Sequence, residues 1–203
     1  MPQRTYHVTI AAPFRLIGAA VWKVFNGEHP LRLPEGAEET LEKVDPYTVY
    51  QSFRNLDRDD QVHANNVFKY YVEVNREVIV WRSVLEDALM PRMRDDVVQN
   101  KWGWIVVSPT DDPETSRLSF LHQVEPELNP CDAKNALNQK YTFALPPEIP
   151  GTFPGGNVKE EIEFPVVPVK KWFYERDMEL ERTLKHVIDN VVFEHHKMSP
   201  STE

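Results

Sequence analysis

The sequence predicts an α+β protein in which a run of antiparallel strands is set against one long C-terminal helix, and three observations carry that prediction. Residues 117–125, RLSFLHQVE, alternate with Leu118, Phe120, His122 and Val124 on one face and Arg117, Ser119, Gln123 and Glu125 on the other, the period of a half-buried strand. From about Lys170 to Lys197, Phe173, Leu180, Leu184, Val187, Ile188, Val191 and Val192 recur at helical spacing, so a single helix roughly 40 Å long at about 1.5 Å per residue is expected. Between the first helix and residue 125, strand-forming segments follow one another with turns rather than crossover helices between them, which is an antiparallel pattern.

The elements follow in order. TYHVTIA, residues 5–11, alternates Tyr6, Val8 and Ile10 against Thr5, His7 and Thr9 and is the first strand. Pro13 suits the start of a helix, and FRLIGAAVWKVFNG carries Phe14, Ile17, Val21, Val24 and Phe25 on a broad apolar stripe that ends at Asn26-Gly27. TLEKV and YTVYQSFRNL, divided by Asp45-Pro46, are two short strands or one bent strand. NVFKYYVEV and REVIVWRSV, joined through Asn75-Arg76, form a hairpin. Residues 85–101 contain Pro91 and neither period, so a loop with at most a helical turn is expected there. GWIVVS then leads through an acidic turn into RLSFLHQVE.

Residues 126–168 carry six prolines between Pro146 and Pro168 and the Gly155-Gly156 pair, which deny regular structure. Tyr141, Phe143, Leu145, Ile149, Phe153, Ile162 and Phe164 nevertheless supply too much apolar surface for a solvated linker. An insertion or lid lying on the body is the expectation, with residues 198–203 a flexible tail and residues 1–203 one domain.

Composition excludes several function classes. A formal charge of −9 argues against a general affinity for nucleic acid or anionic membranes. No apolar run approaches the roughly 18 residues that span a bilayer. The lone Cys131 cannot form an internal disulfide, and MPQRTYHVTI lacks the layout of a secretory signal, so a reducing, cytoplasmic setting is expected. His195-His196 are adjacent and do not share a helix face, and the acidic turns at Asp57–Asp60 and Asp111–Asp112 lack the glycine and terminal glutamate of a calcium loop, so no metal is expected. Neither GxSxG, HExxH nor a phosphate loop occurs, and no cofactor is expected.

The element order, with APF opening the first helix directly after VTI, resembles the helix-grip fold of START-related lipid-transfer and Bet v 1-like (SRPBCC) domains. REVIVWRSVLEDALMP, NKWGWIVVSP and RLSFLHQV resemble the consecutive central strands of divergent START-like domains. The resemblance implies a curved antiparallel β-sheet wrapped around the long C-terminal helix, enclosing a cavity for a sterol, phospholipid or other apolar molecule. Residues 126–168 exceed the usual connection before the final helix, and an N-terminal START helix is absent.

Candidate site residues follow from that geometry. Arg82 interrupts the apolar strand VIVWRSV and is either snorkelling to an edge or pointing into an enclosed space beside a carboxylate such as Glu73 or Glu86. His122 alternates with inward residues, and Phe120 shares its face. Tyr70 offers a phenol on an apolar wall or packs as a core aromatic, and Trp102 and Trp104 flank Gly103 on one side of a strand. Leu184 and Ile188 present the final helix to the same interior. The expected ligand-binding set is therefore Arg82, His122, Tyr70, Trp104, Phe120, Leu184 and Ile188. Binding of a hydrophobic, lipid-like small molecule, for transfer or sensing, is the leading expectation, and transient membrane contact stays open. The alternatives are a cyclase- or hydratase-like enzyme using His122, Tyr70 or Arg82, with catalysis the less favoured reading, and a protein-interaction module with a filled core.

Overall fold

The computed structural model describes residues 3–55, 62–90, 93, 97–125 and 171–198. Strand β1 (Gln3–Ile10) leads into helix α1 (Phe14–Phe25), whose first bonds run from the Leu16 and Ile17 amides to the Pro13 carbonyl. The strands β2 (Ala37–Asp45), β3 (Thr48–Asn55), β4 (Val62–His63), β5 (Asn66–Val72), β6 (Glu77–Ser83), β7 (Val97–Val98), β8 (Asn100–Pro109) and β9 (Ser116–Glu125) follow, and helix α2 (Lys171–Met198) comes last among them. The expected insertion at 126–168 and most of the expected tail at 198–203 lie outside the described residues.

The strands make one curved sheet in the order β1-β9-β8-β6-β5-β3-β4-β7, with β2 on the other edge of β3. Among the described residues every long pairing is antiparallel, and the one parallel contact is the two-residue bridge between β4 and β7. The chain thus has the expected α+β helix-grip architecture, a curved antiparallel sheet with a long C-terminal helix.

Local chemistry explains the joints. At the β2–β3 turn the Asp45 carboxylate accepts the Tyr47 amide at 2.7 Å, so an Asx turn reverses the chain before Thr48. Strands β4 and β5 are one strand broken at Ala64-Asn65. There the Asn65 side chain accepts the Phe53 amide at 3.2 Å and the Ala64 amide donates to the Phe53 carbonyl at 2.9 Å, so the ladder of β3 continues across the break.

The core sits between sheet and helices. Ile17, Val21, Val24 and Phe25 of α1 and Leu184, Val187 and Ile188 of α2 join Val8, Ile10, Phe68, Ile79, Ile105, Val107, Leu118 and Phe120 of the sheet in one buried cluster. Helix α1 lies on β6, β8 and β9, and α2 packs along α1. The stripe of α2 therefore begins where its apolar side chains meet this cluster and fades toward Phe193, which is exposed.

Candidate functional site

Beyond the C-terminal end of α1 the core gives way to a cavity. Its enclosed space is about 40 Å³, within a hollow of about 600 Å³ that includes the mouth open to solvent. Val24, Phe25, Leu31, Leu41, Phe68, Trp81 and Leu180 form its apolar wall, and Glu39, Gln51, Lys101, His122 and Arg176 meet on the other side. Trp81 is the hub of the aromatic wall. Phe25 stacks on it at 5.6 Å between ring centroids, Phe120 lies at 5.7 Å and His122 meets it edge-on at 5.8 Å. Gly103 makes room for this ring, because a Cβ at residue 103 would stand 2.3 Å from Trp81 Cζ2 and 2.3 Å from the Leu121 carbonyl oxygen.

The polar side is a hydrogen-bonded belt that crosses the sheet. The Lys101 amide of β8 donates to Ser83 Oγ of β6 at 2.9 Å, and Ser83 Oγ donates to Asn66 Oδ1 of β5 at 3.1 Å. Asn66 Nδ2 donates to Gln51 Oε1 of β3 at 2.9 Å, and Gln51 Nε2 donates to Glu39 Oε1 of β2 at 2.8 Å. Arg176 of α2 closes the belt by an ion pair with the same Glu39 oxygen. Its guanidinium carbon also sits 3.9 Å over the ring of Phe53. Register places these residues side by side, since Asn66 pairs with Ser83, Gln51 pairs with Asn66, and Glu39 lies two residues from Leu41, the partner of Gln51. Ser83, Asn66, Gln51, Lys101 and Arg176 are all buried, so the belt is an interior feature whose polar groups must find partners.

A second polar network holds the other end of α1. Glu77 is buried on the inward face of β6, where its carboxylate meets Arg15 of α1 at 3.1 Å and accepts the hydroxyl of Tyr70. Burial first, and the neighbouring Glu77 carboxylate second, push the Tyr70 hydroxyl well above the usual phenol range. Arg15 further binds the Glu73 and Val74 carbonyls at the tip of the β5–β6 hairpin. Tyr70 is stacked on Trp22 at 5.2 Å, so it is a tie between helix and sheet.

The structure distributes the seven expected site residues unevenly. His122 is buried and lines the cavity. Phe120, Leu184 and Ile188 are buried in the core cluster, where α1 fills the space they face. Tyr70 does not border the cavity, because Glu77 holds its hydroxyl at the opposite end of α1. The expectation that Arg82 projects inward beside a carboxylate is corrected. Inward positions on β6 belong to Glu77, Ile79, Trp81 and Ser83, and Arg82 is exposed, donating to the Asn100 side chain and, at 3.3 Å, to the Lys101 carbonyl. Trp104 is likewise on the outer face, in register with Val80 and Leu121 and partly covered. Val72 and Val74, which alternate with Tyr70 along the chain, are exposed beyond the covered part of the hairpin.

The residues missed by the sequence reading are Glu39, Gln51, Lys101 and Arg176. Two had a signal. Arg176 stands four residues before Leu180 and eight before Leu184, a charge on the apolar stripe of α2, and Lys101 alternates in phase with the inward Ile105 and Val107. Among the described residues no group of three or more His, Cys, Asp or Glu converges to hold a metal, and none of the helices is long and apolar enough to cross a membrane.

No protein-family model matches the chain, and no curated protein sequence matches it. Among solved structures, human STARD10 is similar over 98% of this chain and 66% of its own, at 10% identity and a TM-score of 0.48. The Zhui aromatase/cyclase from Streptomyces sp. R1128 is similar over 98% of this chain and 96% of its own, at 14% identity and a TM-score of 0.44. A STAR-related lipid transfer protein from Xanthomonas axonopodis is similar over 61% of this chain and 69% of its own, at 15% identity and a TM-score of 0.44.

Proposed function

We propose that the chain binds a hydrophobic, lipid-like small molecule in the cavity between α1, α2 and the sheet, as a carrier or ligand-dependent regulator. The observation that supports this reading is the stacked wall of Phe25, Phe68 and Trp81, which gives an open, mostly apolar space to one side of a packed core. A guest that buries about 300 Å² of apolar surface gains several kcal/mol at about 25 cal/mol/Å² before association costs. The cyclase- or hydratase-like alternative loses support because two of its three expected groups stand elsewhere, Tyr70 tied to Glu77 and Arg82 on the outer face.

Native mass spectrometry of the protein after incubation with a total cellular lipid extract tests the reading. The expected result is a bound mass that organic extraction removes and that is lost in Leu180→Trp, which fills the cavity. Absence of any adduct on the unaltered protein would sink it.

A further inference from the structure

We infer that Met90 is a site of reversible sulfoxidation, held by side-chain donors that suit a sulfoxide oxygen better than a thioether. The site lies on the outer face of the sheet. Gln51 of β3 faces the cavity, so Tyr50 and Ser52 on either side of it point the other way, and the segment after β6 lies over them. Turns wind that segment, with the Met90 amide on the Asp87 carbonyl and the Met93 amide on the Met90 carbonyl, both at 3.0 Å. They bring two thioethers to one amide: Asn65 Nδ2 lies 3.3 Å from Met90 Sδ and 3.4 Å from Met93 Sδ. Ser52 Oγ stands 3.5 Å from Met90 Sδ. The orientation of Asn65 is fixed, because its Oδ1 accepts the Phe53 amide at 3.2 Å, and Nδ2 also donates to the Tyr50 hydroxyl at 2.9 Å.

Two donors thus converge on a weak acceptor. Asn65 is fully buried and Ser52 is 7% exposed, so neither can turn to water instead. Of the two sulfurs, that of Met90 belongs to a partly exposed residue, whereas Met93 is 3% exposed. A hydrogen peroxide molecule therefore reaches Met90. A sulfur lone pair attacks one peroxide oxygen, the S–O bond forms as the O–O bond breaks, and the departing hydroxide takes the proton of the transferred oxygen, leaving methionine sulfoxide and water. In an apolar core such a group disrupts packing, because its polar oxygen finds no donor. At Met90 the oxygen meets the Ser52 hydroxyl and the Asn65 amide, and the unbranched side chain can draw back to admit it.

Dilute hydrogen peroxide applied to the full chain, followed by peptide mapping by mass spectrometry, tests the assignment. Met90 is expected to gain one oxygen in the folded protein, while Met93 keeps its thioether until the chain is unfolded in urea. The two epimer-specific methionine sulfoxide reductases together should remove that oxygen from the folded protein. Sulfoxides at other methionines are cancelled by treating Met90→Leu in the same way. Relative to that control, oxidation of Met90 should leave the thermal midpoint unchanged or raise it. In Ser52→Ala, compared with its own Met90→Leu double variant, the same oxidation should lower the midpoint by about 2–4 °C, and Ser52→Thr, which keeps the hydroxyl, should behave as the unaltered chain. The comparison on the unaltered chain stands whether or not a Ser52 variant folds. Resistance of Met90 to peroxide, oxidation of Met93 at the same rate, a midpoint lowered in the unaltered chain, or a change that is the same with and without the Ser52 hydroxyl would each overturn the proposal. Persistence of the oxygen after reductase treatment would overturn its reversibility.

Discussion

Arg176 of the final helix and Glu39 of the edge strand form an ion pair whose side chains are 5% and 10% exposed, 137 positions apart in sequence. A pair so enclosed costs several kcal/mol in desolvation per ion, which its mutual attraction and the added bonds from Gln51 and the Phe53 ring offset. Removing one partner strands the other.

Arg176→Met is accordingly expected to destabilise the fold by about 3–5 kcal/mol, while the double variant Arg176→Met with Glu39→Gln recovers at least half of that loss. Urea denaturation of the two singles and the double gives the coupling directly. Additive losses would show that the two side chains stand apart in solution.

Gly18 of α1 lies against Glu77, and a Cβ at residue 18 would stand 1.9 Å from Glu77 Oε2. Helix propensity alone favours alanine over glycine by about 1 kcal/mol. Gly18→Ala is nonetheless expected to destabilise, by about 1–3 kcal/mol, because the carboxylate held by Arg15 and Tyr70 has to give way. A rise in the urea midpoint would contradict the close approach.

The alkaline limb of stability has a defined sign. Burial, and then the hydrogen bond to Asp87 at 2.5 Å, push the Tyr50 hydroxyl up to about 12 from an ordinary value of 10.0, and Tyr70 is raised as well. In the unfolded chain both deprotonate near 10, so between about pH 10 and 12 the unfolded state sheds protons that the folded state keeps. Their contribution is present in full below pH 10 and is lost as pH rises through the folded values. Stability should fall across that window, and Tyr50→Phe should flatten the fall. Ultraviolet titration is expected to show a late tyrosinate fraction whose appearance coincides with loss of the far-ultraviolet helix signal; complete ionisation near pH 10 in the folded protein would exclude this account.

The fold was readable wherever one face of an element is wet. Leu118, Phe120 and His122 alternate with polar residues on β9, and Leu184, Val187 and Ile188 repeat on α2, so burial follows periodicity there. Strand β6 defeated that reasoning because Val78 and Val80 are apolar on its outer face while Glu77, a charge, points inward. Two-faced apolarity leaves the phase of a strand undetermined. Arg82 was placed inward on that ambiguity, and Trp104 on the similar one in β8. The belt is a different case. Its members come from five strands and a helix, and which of them become neighbours is decided by strand register, a quantity absent from one chain's local pattern. Only Arg176 and Lys101 announce themselves, the first as a charge in step with Leu180 and Leu184, the second in phase with Ile105 and Val107.

The belt also has an arrow. From the Lys101 amide to Ser83, from Ser83 to Asn66, from Asn66 to Gln51 and from Gln51 to Glu39, each link donates in the same sense, and the series terminates on a carboxylate that can only receive. The anion at one rim thereby dictates which way the Gln51 and Asn66 amides face and where the Ser83 hydroxyl proton must point. Aligned dipoles strengthen one another, so the series is polarised as a unit along a line nearly perpendicular to the strands. Reversing the Gln51 amide would set like ends against each other at two junctions. The Glu39 carboxylate and the backbone of β8 are thus the two ends of one hydrogen-bonded series.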